Sequence, residues 1–251
     1  MPEAFVCAAG SLLGLELTPG SFPVGKVEFL YIHPLSFKEF LHAVCTNTQA
    51  VEMFDKIKST KEISEILHEI LWEQLKLYFI IGGLPEVIKT YRDHQDNMFI
   101  AFEKARKIQN ILISTYQADI AKHSGKQNSM HIARIWENIP NQLAQSLDGS
   151  AKKFKVKNIV SGNANYSRLA SSIDWLHTAN LIIKVLIINK AEFPFLAYSK
   201  ENTFKLYIFD VGLLGALSNL DPGIIWNYSY GSYKGFFAEN FVAQEFLAQN
   251  S

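Results

Sequence analysis

The chain has 251 residues, 48% of them hydrophobic, enough to bury one sizeable core or two or three small ones. Its 24 Lys and Arg balance 24 Asp and Glu, so no net field draws it towards nucleic acid or an anionic membrane, and any basic surface must be local. Two cysteines, Cys7 and Cys45, are too few for a disulfide framework or a structural metal site; as small buried residues they fit a reducing cytoplasm.

Met1 to Phe5 show no basic stretch leading into an apolar one, so no secretory signal is expected. Apolar runs such as Leu181 to Ile188 fall well short of the roughly 20 residues that cross a bilayer. A soluble, cytoplasmic protein with no membrane partner is therefore expected. Phe5 to Ala9, ending in Gly10, and Val27 to Ile32 read as buried strands of a parallel sheet. Between them, Gly20-Ser21-Phe22-Pro23-Val24-Gly25-Lys26 has P-loop spacing up to its lysine. Val27 supplies no hydroxyl for magnesium, Pro23 removes a backbone donor, and the following residues favour strand over helix, so the motif is rejected.

From Pro34 the pattern is helical. Ser36 with Glu39 predicts a capping box for a helix over Phe37 to Val44, and Ser59 with Glu62 repeats the device. The next helix carries Ile63, Ile66, Leu67, Ile70, Leu71 and Leu75 as a core stripe and stops at Gly82-Gly83-Leu84-Pro85. Helices over Glu86 to Tyr91 and Phe99 to Ala121 complete a helical lid or bundle.

From about Ser129 to Leu217 the order is a helix, a second helix with Pro140 near its start, a basic linker, a helix over Tyr166 to Ala179, and strands over Leu181 to Ile188 and Phe204 to Phe209. That order predicts a winged helix-turn-helix, with Leu169, Ile173 and Leu176 inward and Arg168, Ser171, Ser172 and His177 outward. Phe193 to Tyr198 reads as an edge segment because Pro194 cannot donate to a ladder. Between Ser150 and Lys205 nine basic residues face three acidic ones. Lys152 precedes a row in which Lys153, Lys155 and Lys157 alternate with Phe154 and Val156, so an extended backbone projects the lysines to one side. Such a row, with Arg168, suits the phosphate backbone of duplex DNA; a solvated surface strand, or a winged helix that contacts protein, fits the same residues.

Catalytic constellations are not found: the seven histidines are scattered without ligand spacing, and His33 and His42 flank the first capped helix as structural or exposed residues. Asp119 and Asp210 sit amid apolar neighbours, where burial makes a structural hydrogen-bond acceptor the favoured role.

A set of ordered blocks resembles bacterial and archaeal AAA-family ATPases that end in a widespread C-terminal domain of unknown function. The blocks include Ala9-Gly10-Ser11-Leu12-Leu13, Pro34-Leu35-Ser36-Phe37-Lys38-Glu39-Phe40, Gly82-Gly83-Leu84-Pro85-Glu86-Val87, Tyr116-Gln117-Ala118-Asp119-Ile120, Lys205 to Leu214 and Glu239-Asn240-Phe241-Val242-Ala243. The resemblance implies an α/β remnant plus mainly α fold: the end of a parallel ATPase sheet (1–33), a helical region (34–125), a winged helix (126–217) and the start of a restriction-endonuclease-like domain (218–251). It also implies that Ser11 is a γ-phosphate sensor, that Lys26 stands where relatives have arginine, and that Glu239 is the early acidic position of the nuclease-like fold. Complete relatives use ATP and Mg²⁺. This chain is expected to lack the phosphate cradle, the magnesium-binding strand and the further nuclease carboxylates, leaving it without cofactor or autonomous catalysis. The last helix, with Phe237, Phe241, Phe246 and Leu247, is then expected to be poorly anchored. A DNA-associated module comes first among the implied roles, a remnant that docks on an intact ATPase homologue second, and an ATPase subunit completed by a separate P-loop polypeptide third.

Overall fold

The computed structural model describes residues 6–7, 9–10, 28–58, 63–124, 126–145, 153–159, 166–231 and 233–249. These residues are mainly helical, with one small antiparallel sheet of two strands. No helix among them is long and apolar enough to cross a membrane.

Helix α1 (Phe37–Val44) begins at the predicted capping box: the Ser36 hydroxyl accepts from Glu39 N, and the Glu39 carboxylate accepts from Ser36 N. Its stripe of Phe37, Phe40, Leu41 and Val44 is buried. After α2 (Thr48–Lys56), the Ser59 and Glu62 pair lies outside the described residues; the cap of α3 (Glu65–Ile81) is Ser64, which accepts from Leu67 N. Ile66, expected in the core, is exposed. Leu67 is buried as expected, and at the end of α3 Leu77, Tyr78, Phe79, Ile80 and Ile81 are all buried. A helix that is apolar all round is one that other elements enclose, and α1, α8 and α9 pack against this one. Gly82 ends it with φ +77, the left-handed conformation that glycine adopts without strain.

Helix α4 (Pro85–Arg92) starts on its proline, and α5 (Met98–His123) on the Asn97 cap. One helix, α6 (Lys126–Ala144), runs through Pro140, where two were expected. Proline removes one hydrogen bond from a helix, and here burial of Ile135, Trp136, Ile139 and Leu143 outweighs that loss. Helix α7 (Tyr166–Thr178) buries Leu169, Ile173 and Leu176 as predicted. It also buries Ser172, expected outside, whose hydroxyl donates to Asn128 Oδ1 at 2.5 Å.

Strand β1 (Ile182–Ile188) pairs with β2 (Ser199–Ile208) from Ile182 opposite Ile208 to Leu186 opposite Phe204. The second strand thus starts before Phe204, and Phe195–Tyr198, expected as an edge segment, is a 3₁₀ turn. Helices α8 (Val211–Leu217), α9 (Pro222–Trp226) and α10 (Tyr233–Gln249) follow. The core is continuous from Phe37 to Phe237 and draws on helices from α1 to α10.

The expected N-terminal strands are not found in the described residues. Val6, Cys7, Ala9 and residues 28–32 belong to no strand and are exposed, and Cys7 is exposed where burial was expected. A parallel strand holds its shape only beside neighbours, and no neighbouring strand lies among the described residues. The last helix also differs from expectation. Phe237 is fully buried and Phe241 half-buried against Phe37, Tyr78 and Phe79, while Phe246 and Leu247 are exposed as expected.

Candidate nucleic-acid interface

The lysine row has the predicted alternation. Lys153, Lys155 and Lys157 are exposed, Phe154 is buried and Val156 half-buried. Only its first half is extended, since Val156–Asn158 forms a 3₁₀ turn. Two contacts fix the extended part. Phe154 N donates to Phe204 O at 2.8 Å, which lays residues 153–155 along β2. Leu186 of β1 already occupies one edge of β2 beside Phe204, so the lysine segment takes the other. The Gln142 side chain of α6 then closes both backbone positions of Lys155, accepting from its N at 2.7 Å and donating to its O at 2.9 Å.

Strand alternation assigns the faces. The Phe154 and Phe204 rings stack with centroids 6.1 Å apart, so these residues share a face of the small sheet. Lys153, Lys155 and Lys205 therefore share the opposite face. Tyr166, at the start of α7, meets the Phe204 ring at 5.8 Å, and the Lys184 ammonium lies 5.2 Å from the same ring while pairing with Asp174 at 3.1 Å. Arg168, exposed on α7, thus belongs to the helix packed on the Phe204 side, and the expected set divides between two faces. Lys152, Ser11 and Lys26 lie outside the described residues.

Glu239 is engaged within the chain: its Oε2 accepts from Lys205 Nζ at 2.7 Å and from the Tyr207 hydroxyl at 3.1 Å. Its neighbour Asn240 is buried and holds both backbone groups of Ile208, accepting from N at 2.9 Å and donating to O at 2.8 Å. One turn on, Gln244 accepts from Val211 N and donates to the Tyr78 hydroxyl. Helix α10 is thereby clamped to β2 and to the start of α8. Gln142, Asn240 and Gln244 were missed in the sequence; for the last two, amides spaced four apart on one helix face were the available signal.

The acidic residues differ in role. Asp119 is exposed, contrary to expectation. Asp210 is fully buried and acts as the structural acceptor that was favoured: Oδ2 accepts from Gly83 N at 2.7 Å and Oδ1 from Leu213 N at 2.9 Å, capping α8. Burial pushes its carboxyl up to about 6, against the opposing pull of backbone N–H groups at Gly83, Leu213 and Gly212. His42, expected to flank α1, is exposed in its last turn and pairs with Asp55. No group of three or more His, Cys, Asp or Glu among the described residues is placed to hold a metal ion.

Exposed apolar side chains gather instead on the hairpin, at Val185, Leu186 and Ile188 of β1 and at Phe193 and Leu196 near its tip.

No curated protein and no solved structure matches the chain. A family model does match, over residues 72–223, from the middle of α3 into α9, so the stretch that carries the lysine row, α7, the hairpin and Asp210 lies within it. The chain belongs to the family described as Domain of unknown function (DUF8612).

Proposed function

We propose that the chain is a winged-helix module related to AAA-type ATPases, and that it holds duplex DNA by the phosphate backbone through Lys153, Lys155 and Lys157. The observation that carries this reading is the exposed, alternating lysine row whose backbone is fixed by Gln142 and β2. Lys153 and Lys155 flank Phe154 on this fixed extended segment and Lys157 lies on the turn that follows, and ammonium groups held in place lose less freedom on meeting a phosphate than the same groups on a loose linker. The sequence of α6, lysine segment, α7 and hairpin supports the winged-helix part, because residues 153–155 lie along β2 on the edge opposite β1. Backbone contacts position a protein on DNA without reading sequence, so the module binds duplexes of different sequence alike. Arg168, on the other side of Phe204, adds a contact only where DNA also reaches α7.

Titration of labelled duplex at several salt concentrations tests this. Each lysine that neutralises a phosphate contributes about 0.9 to the slope of log affinity against log salt, so replacing Lys153, Lys155 and Lys157 by Ala lowers the slope by roughly 2.7. A salt response that is flat, or unchanged in the triple variant, rules the reading out.

A further inference from the structure

We propose that the cleft between α6 and β2 is a seat for one phosphodiester group, and that Glu239 is an anion built into the fold that competes for it. This deepens the duplex-backbone reading and rests on it. The cleft has a volume of about 100 Å³ and is bordered by Lys153, Lys155 and Lys205, with Phe154 and Leu206 among its apolar walls and Gln142 on the α6 side. Lys153 and Lys155 are exposed and carry their charge to solvent. Lys205 is different: only 13% of its side chain is exposed, and its ammonium already meets the Glu239 carboxylate.

The geometry explains why that carboxylate is held there. Asn240, the next residue, is fixed to both backbone groups of Ile208, so the backbone at Glu239 stays beside β2 and its carboxylate stays within reach of Lys205. Tyr207 donates to the same oxygen, leaving Glu239 with two donors of the kind a phosphate oxygen would take. Glu239 itself is 45% exposed, so the pair borders solvent and an incoming phosphate can approach it. A carboxylate and a phosphate present equivalent acceptor oxygens to an ammonium group, and the one already bound lowers the gain from the other. Glu239 thus withholds the third lysine of the cleft and weakens attachment to DNA.

The test is duplex binding, measured against salt, by the full chain and its Glu239→Gln, Lys205→Ala and doubly substituted forms, with thermal melting to confirm that each folds. Glu239→Gln is expected to tighten binding roughly two- to five-fold, the range of a partly exposed ion pair, and to steepen the salt slope by about 0.9. In the Lys205→Ala background the same change is expected to do nothing. Tightening of equal size in both backgrounds is a general charge effect and overturns the proposal. Unchanged affinity of Glu239→Gln, with the Lys153, Lys155 and Lys157 variant still weakened, overturns the proposal and leaves the duplex reading standing. No effect from any of these changes removes both.

Discussion

Replacing Asp210 by Ala is expected to cost about 3 kcal/mol of folding stability, because it leaves the buried N–H groups at Gly83 and Leu213 without their acceptor. The carboxylate ties the loop after α3 to the first turn of α8, and the backbone around it is built to its shape. A Cβ on Gly82 would lie 2.3 Å from Asp210 Oδ1, and one on Gly212 would lie 2.5 Å from the Ile81 carbonyl oxygen, so the two glycines let the loop and the helix close on the acid. The pH dependence has a definite sign. The folded carboxyl, at about 6, holds its proton more tightly than the unfolded one, near 3.8. Its contribution to stability is therefore fully present below pH 3.8 and is lost as pH rises through about 6. In urea titrations, the stability gap between the native sequence and Asp210→Ala is expected to widen from pH 7 to pH 4. A gap that narrows contradicts the buried-acid account.

Phe237→Ala is expected to destabilise the whole protein by about 3–5 kcal/mol, the usual cost of emptying a buried aromatic site. Phe237 is fully buried, with its ring within 6 Å of those of Phe79, Tyr230 and Phe236. Helix α10 adds the Asn240 and Gln244 clamps and the Glu245 carboxylate, which accepts from Phe37 N at 2.8 Å. A single cooperative unfolding transition at a lower denaturant midpoint is the expected result. Local fraying of α10 with the rest of the chain unchanged contradicts its place in the common core.

Features written locally in the chain were legible in the sequence. The capping box of Ser36 and Glu39, the inward face of α7 and the alternation of Lys153, Phe154 and Lys155 each depend on neighbours within a few residues. Features decided by distant partners were not. The apolar stretch at 28–32 has strand propensity but no strand beside it among the described residues, and Pro140 sits inside a helix that packing sustains. Helix α10 looked unanchored because its partners at Ile208, Val211 and Tyr78 lie about 30 or more residues away in the chain. For the candidate site, spacing found the lysines but not Gln142, which fixes their backbone from another helix, nor the division between the lysine face and Arg168. Apolar exposure was expected along α10; much of it lies on the hairpin, where no element covers the outer half of β1 among the described residues.

In the proposed function the lysine row, and not the surface in general, meets the DNA backbone. Amine-reactive footprinting of the native chain with and without duplex tests it most directly, since the reagent modifies only accessible lysines. Protection of Lys153, Lys155 and Lys157 on adding duplex, with the exposed Lys89 of α4 modified as before, is the predicted result. Unchanged modification of the three row lysines under saturating duplex contradicts the account.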